Sequence, residues 1–215
     1  MGILDLREAS AEKASATVKK EIVESCLASP SQLHGIADAL MTTKGKLQIA
    51  AAEVLAEIAE TRPDLISTHV PSIMRIADEK SARASKLALS AMAAAATADP
   101  SAVARYQKEL EGFAKAGGKL RTPALAVLGR LGSASPRWAG SVRPVLLGYI
   151  ARAEADQLPE TVGAAAPAFL PNAERELQAV LEKRIAALPA DSAATVMEKA
   201  QTALRKATRK RAPRR

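Results

Sequence analysis

Five prolines constrain this chain more than anything else in it. Pro30, Pro63, Pro100, Pro136 and Pro171 are separated by 33, 37, 36 and 35 residues. Proline has no N–H to donate and a φ fixed near the helical value, so it suits the first position of a helix. What recurs with it is a whole pattern. Eight and nine residues before Pro63, Pro100 and Pro136 stand Leu55 with Val54, Met92 with Ala91, and Leu128 with Val127. Four and five before are Ala59 with Ile58, Ala96 with Ala95, and Gly132 with Leu131; twelve before are Ala51, Ala88 and Ala124. Those offsets trace one face of an α-helix. A repeat of this length is read as a stack of helical pairs, because one pair alone cannot bury its apolar stripe.

Arg62 to Pro100 shows the unit most fully. Leu65, Val70, Ile73, Ile76 and Ala77 share one helical face, Asp78-Glu79-Lys80-Ser81 forms a turn, and Ala84, Leu87, Ala88, Ala91, Met92, Ala95 and Ala96 line a second helix. The unit before it has Leu33, Ile36, Ala37, Leu40 and Met41, then Leu47 to Ala59. A helix over about 10–28 puts Val18, Ile22 and Cys26 at twelve, eight and four before Pro30, as a half-unit would. Ser29, Asp99 and Ser135 precede prolines as helix caps. After Pro136 a long helix leads to a poor return helix near 160–166, hemmed by Pro159 and Pro167, and a final pair spans 172–187 and 191–208. Pro71 and Pro144 both lie eight residues after a repeat-opening proline, where each should kink its helix.

The stretch from Leu65 through Pro71, Ile73, Asp78 and Arg83 to Ala88 and Ala91 resembles a HEAT repeat. That resemblance implies a proline-kinked first helix, an Asp in the turn and a basic residue opening the second helix. Lys46, Arg83 and Lys119 all stand 17 residues before the next repeat proline, so the basic position recurs, whereas Gly117-Gly118 replaces the Asp one repeat on. The expected fold is all-α, a right-handed α-solenoid of about five antiparallel helical pairs, with first helices convex and second helices concave. Residues 1–29 form a capping segment, 30–208 the repeats, and 209–215 a basic disordered tail.

Composition narrows the function. The chain is 48% hydrophobic but 2% aromatic, a helix-packing, alanine-rich balance without strand alternation. It has no apolar run long enough for a bilayer and no signal segment at the N-terminus. Met1-Gly2 lacks the Ser or Thr that a myristoylation motif wants, since Leu6 stands there. A single cysteine, Cys26, fits a reducing compartment. A cytoplasmic protein is therefore expected. Net charge is +8, yet residues 199–215 hold eight basic residues and no acid, which leaves 23 of each sign elsewhere. Between Glu111 and Glu154 seven basic residues (Lys115, Lys119, Arg121, Arg130, Arg137, Arg143 and Arg152) face no acid.

No catalytic set assembles on paper. His34 and His69 fall at different repeat offsets without companions, which argues against a metal site. Cys26 reads as a small buried hydrophobe. Gly117-Gly118 is a helix stop rather than a phosphate loop. Four of the five aromatics, Tyr106, Phe113, Trp138 and Tyr149, lie in the basic region. Base stacking would use them, but Trp138 occupies the place of Leu65, and Phe113 and Tyr149 that of Ile76, so core packing is the expected role.

The sequence thus favours a non-enzymatic module without cofactor or metal that binds a protein partner on its second-helix face. Lys46, Glu53, Glu57, Arg83, Lys86, Lys119, Arg121 and Arg130 would make the contacts. The alternative is nucleic-acid binding through 115–152 and the tail residues Arg205, Lys206, Arg209, Lys210, Arg211, Arg214 and Arg215. A remote variant of it is a HEAT-like DNA-alkylation-repair glycosylase, whose acidic residue beside aromatics has no counterpart in the acid-free block. No membrane partner or small-molecule substrate is indicated.

Overall fold

The computed structural model describes residues 15–77, 81–170 and 172–211. The N-terminal lead-in, Asp78-Glu79-Lys80 and the last four residues lie outside them, and with them the turn Asp of the HEAT-like pattern. Among the described residues every regular element is helical. The chain forms two compact units, Met1–Tyr106 and Gln107–Arg215.

The first unit holds α1 (Ser15–Ala28), α2 (Leu33–Thr42), α3 (Lys46–Thr61), α4 (Pro63–Ile66), α5 (Val70–Ala77), α6 (Ala82–Ala98) and α7 (Pro100–Ala104). The second helices lie side by side, α3 between α1 and α6, while α2 packs on α5. The proline-counted face is the core: Ala51, Val54, Leu55, Ile58 and Ala59 of α3, and Ala88, Ala91, Met92, Ala95 and Ala96 of α6, are all buried, as are Ile22 and Cys26 of α1. Val18 and Met41 are only half-buried. A 3-10 turn, Ser67–His69, separates α4 from α5. It falls where the ring of Pro71 would press on the Ser67 carbonyl, four residues back, and has no N–H to give it.

The second unit holds α8 (Gln107–Ala116), α9 (Arg121–Ala134), α10 (Pro136–Arg152), α11 (Leu158–Ala165), α12 (Glu174–Ala186) and α13 (Ala190–Arg211). α9 packs on α8, α10 and α11, and α11 packs on α13. Gly117 and Gly118 both have positive φ, 79° and 64°, the left-handed backbone that ends α8. Small residues let the second helices meet backbone to backbone. A Cβ on Gly129 would sit 2.2 Å from the Ala164 carbonyl oxygen, one on Gly132 2.7 Å from Ala168 Cβ, and one on Gly163 3.3 Å from Ala203 Cβ. The short return helix α11 ends in a 3-10 turn, Ala166–Ala168, and Phe169 behind it is fully buried. α13 runs on to Arg211.

Some local expectations hold and others are corrected. Asp99 and Ser135 cap their helices, accepting from Ala102 N at 3.1 Å and Trp138 N at 3.4 Å. Ser29 makes no such bond; its hydroxyl lies 3.3 Å from that of Ser31. Helix α10 passes through Pro144 without a break. The lost bond there belongs to the carbonyl of Gly140, and both residues are exposed, so solvent can satisfy it. The helix opened by Pro100 stops at Ala104 and restarts at Gln107 without any proline at the break. Trp138, Phe113 and Tyr149 are half-buried rather than core. Leu65, the counterpart of Trp138, is half-buried too, and the core place lies one residue on. Leu33, Ile66, Val103 and Ala139, each three residues after its proline, are all buried.

Candidate interaction surface

The second helix of each pair buries one face and leaves the other for polar side chains. In the first unit these side chains are linked across helices. Glu53 of α3 accepts from Lys19 Nζ of α1 and, at 2.5 Å, from Arg83 Nη2 of α6. One carboxylate thereby ties three successive second helices. Burial pushes the Glu53 carboxyl up, but the hydrogen bonds and charges of Lys19 and Arg83 outweigh it and hold it below the usual range. Arg83 keeps 70% of its side chain exposed, so solvent screens its link to a value of order 1 kcal/mol or less. Lys46 at the start of α3, Glu57 on α3 and Lys86 on α6 are exposed around this chain.

In the second unit Lys119 is exposed on the 3-10 turn Gly118–Leu120, whereas Arg121 and Arg130 of α9 are half-buried. Arg205 and Lys206 are exposed on α13. The side chains of Arg209, Lys210, Arg211, Arg214 and Arg215 lie outside the described residues. Arg121 reveals a repeat position that pattern-reading overlooks. Gln48, Ser85 and Arg121 all stand 15 residues before the next repeat proline. Gln48 and Ser85 are buried and donate to the carbonyls of Leu40 at 3.3 Å and Ile76 at 3.1 Å. Each ties a second helix back to the first helix of its pair. Arg121 instead gives Nη1 to Gln157 and lies 5.8 Å from the ring centroid of Tyr149. The signal was in the sequence as a polar residue inside an apolar frame.

Two arginines of the basic block are engaged away from its other cations. Arg143 donates Nε to the Ala168 carbonyl at 2.7 Å and lies over Phe169. Arg137 lies over Trp138 at 4.8 Å. The Arg137 guanidinium covers a face of Trp138 that a nucleobase would need, and Phe169 is buried.

His34 and His69 are brought together, rings edge to face at 5.1 Å. Among the described residues no three His, Cys, Asp or Glu side chains gather as metal ligands would. Burial of His69 lowers the pKa of its imidazole, His34 lowers it further, and the charge of Asp38 works the other way. The unfolded chain therefore takes up this proton more readily than the native one. Stability conferred by neutral His69 is present above the ordinary value of 6.5 and is lost as pH falls below it towards the folded value. Calorimetry should show a larger drop in melting midpoint between neutral pH and about pH 5.5 for the wild type than for His69→Gln. Equal drops would detach the imidazole from stability.

Among the described residues no helix is long and apolar enough to cross a membrane. No family model and no curated protein matches the chain. Solved structures do. A designed armadillo repeat protein superposes with a TM-score of 0.61 at 13% identity, over 95% of this chain and 100% of that one. An engineered protein from the Northeast Structural Genomics Consortium matches at TM-score 0.55 and 17% identity, over 94% of this chain and 88% of its own. A second engineered protein from the same consortium matches at 0.55 and 16%, over 94% and 52%. These likenesses concern fold alone. The fold is an all-α helical-repeat solenoid of the armadillo and HEAT kind.

Proposed function

We propose that the chain is a non-enzymatic interaction module whose second-helix side chains receive a protein partner in a reducing, cytoplasmic setting. The observation that carries this reading is the Lys19–Glu53–Arg83 chain, which joins α1, α3 and α6 through charged side chains. Solenoids of stacked pairs gain a wide surface in this way without a pocket. Lys46, Arg83 and Lys86 supply cationic contacts in the first unit, and Lys119 and Arg130 do so in the second. Nucleic-acid binding is the weaker reading, because Arg137 and Arg143 are engaged with Trp138, Phe169 and a backbone carbonyl.

A photo-crosslinking residue tests the surface. Placed at Glu57 or Lys86, it should trap a defined partner in an extract of the source cell. Placed at Asp38 or Arg75, exposed on first helices α2 and α5, it should trap none. Equal trapping at all four sites, or none anywhere, would remove the reading.

A further inference from the structure

In the second unit, α8 and α10 both pack on α9 and are bridged by two hydrogen bonds. Ser141 donates to Gln107 Oε1 at 3.3 Å and Tyr149 donates its hydroxyl to the Glu111 carbonyl at 3.2 Å. Beside these bridges runs an open groove of about 870 Å³. Lys108, Lys115, Arg121 and Arg152 line it against one carboxylate, Glu111, which already accepts from Gln107 Nε2 at 2.8 Å. Arg121 and Arg152 share the ring of Tyr149, at 5.8 and 6.0 Å from its centroid.

Two glycines shape the walls. Gly112 and Gly148 each stand twelve residues after a repeat proline, where the unit opened by Pro63 has Arg75. Both lie inside helices, where glycine is unfavourable. At Gly112 an added Cβ would meet nothing within 4 Å, so packing on α9 does not demand it. At Gly148 a Cβ would come 3.1 Å from Arg152 Nη2, so this glycine makes room for the guanidinium to fold back along α10. Arg121 holds its Nε buried without a hydrogen-bond partner, which leaves donor capacity that an anionic acceptor can take up if the side chain turns outward.

We propose that this groove binds an extended acidic peptide segment of a partner, with carboxylates meeting Lys108, Lys115, Arg121 and Arg152. The spread of charge favours a peptide over a compact anion. Lys108 and Lys115 are seven residues apart on α8, which is about 10 Å along a helix. An extended chain covers that distance in about three residues. The inference rests on the interaction-module reading but uses a separate surface.

The probe is a fluorescein-labelled octapeptide of Asp and Glu, titrated with the full chain at low ionic strength. Fluorescence anisotropy should show saturable binding that a Gln and Asn peptide of the same length lacks. Lys108→Glu with Lys115→Glu should weaken it about tenfold or more. Gly112→Leu should weaken it comparably by filling the groove, while its melting midpoint stays level or rises. Lys44→Ala, exposed in the other unit, should change nothing. The proposal is overturned by absence of binding, by equal binding of the neutral peptide, or by indifference to Gly112→Leu. It is also overturned if inorganic triphosphate or duplex DNA binds more tightly than the peptide. Loss of peptide binding with crosslinking at Lys86 intact removes the groove alone; the reverse removes the second-helix surface alone.

Discussion

Leu55→Asp and Leu128→Asp should each cost about 4 kcal/mol or more, a large share of the stability that a domain of this kind has. Leu55 is 1% exposed and Leu128 0%. Each lies eight residues before a repeat proline, on the face where its helix meets its neighbours. A carboxylate there has no cation to meet and no water. It is either buried as an unpaired charge or protonated at a cost set by its displaced pKa. Urea denaturation measures the loss directly. Glu57→Ala, two residues from Leu55 but exposed, should shift stability by no more than about 0.5 kcal/mol. An Asp variant that unfolds within about 1 kcal/mol of the wild type would show that the repeat frame is misplaced.

Gly129→Ala should destabilise by about 3 kcal/mol, against the ordinary sign for a helix interior. Alanine normally gains up to about 1 kcal/mol over glycine in a helix. At Gly129 the new methyl would sit 2.2 Å from the Ala164 carbonyl oxygen. That oxygen belongs to backbone and cannot swing aside, so α9 and α11 must part. Gly112→Ala and Gly140→Ala, also within helices but with nothing within 4 Å of the new Cβ, should both stabilise. The difference in sign separates a steric cause from a propensity cause. If Gly129→Ala also stabilised, the two helices would not lie as close as described.

The core of the second helices was legible because it obeys an offset from a residue that can be counted. Leu55, Met92 and Leu128 sit at one offset and all are buried. The first helices were less legible, since the proline fixes where they start but not how far they turn before packing. Leu65 and Trp138 look like core at their offset, yet the residues after them, Ile66 and Ala139, are the buried ones. The interruption at Arg105–Tyr106 was not legible, because no proline or glycine marks it. On the interaction surface, the recurrence of Lys46, Arg83 and Lys119 and the place of Glu53 on a second helix were visible, but the pairing of Arg83 with Glu53 was not. Glu53 lies 30 residues away in the chain, and only stacking brings it near. The groove lay hidden for a similar reason. Its four cations come from three helices, and its width depends on two glycines that read as ordinary helix-weakening residues.

The contact of Gly129 with Ala164 also bears on how such a chain can change over time. An α-solenoid is usually imagined as a string of exchangeable parts, in which a unit can be duplicated, deleted or moved. Here the segment carrying Ala164 tolerates as its upstream neighbour only a unit with glycine where Gly129 stands, seven residues before a repeat proline. The units opened by Pro30 and Pro63 end in helices with Ala56 and Ala93 at that offset, and neither could take its place without forcing the helices apart. The order of parts in this half of the chain is thus fixed by one missing methyl group, and recombination that shuffles it should yield proteins that do not close.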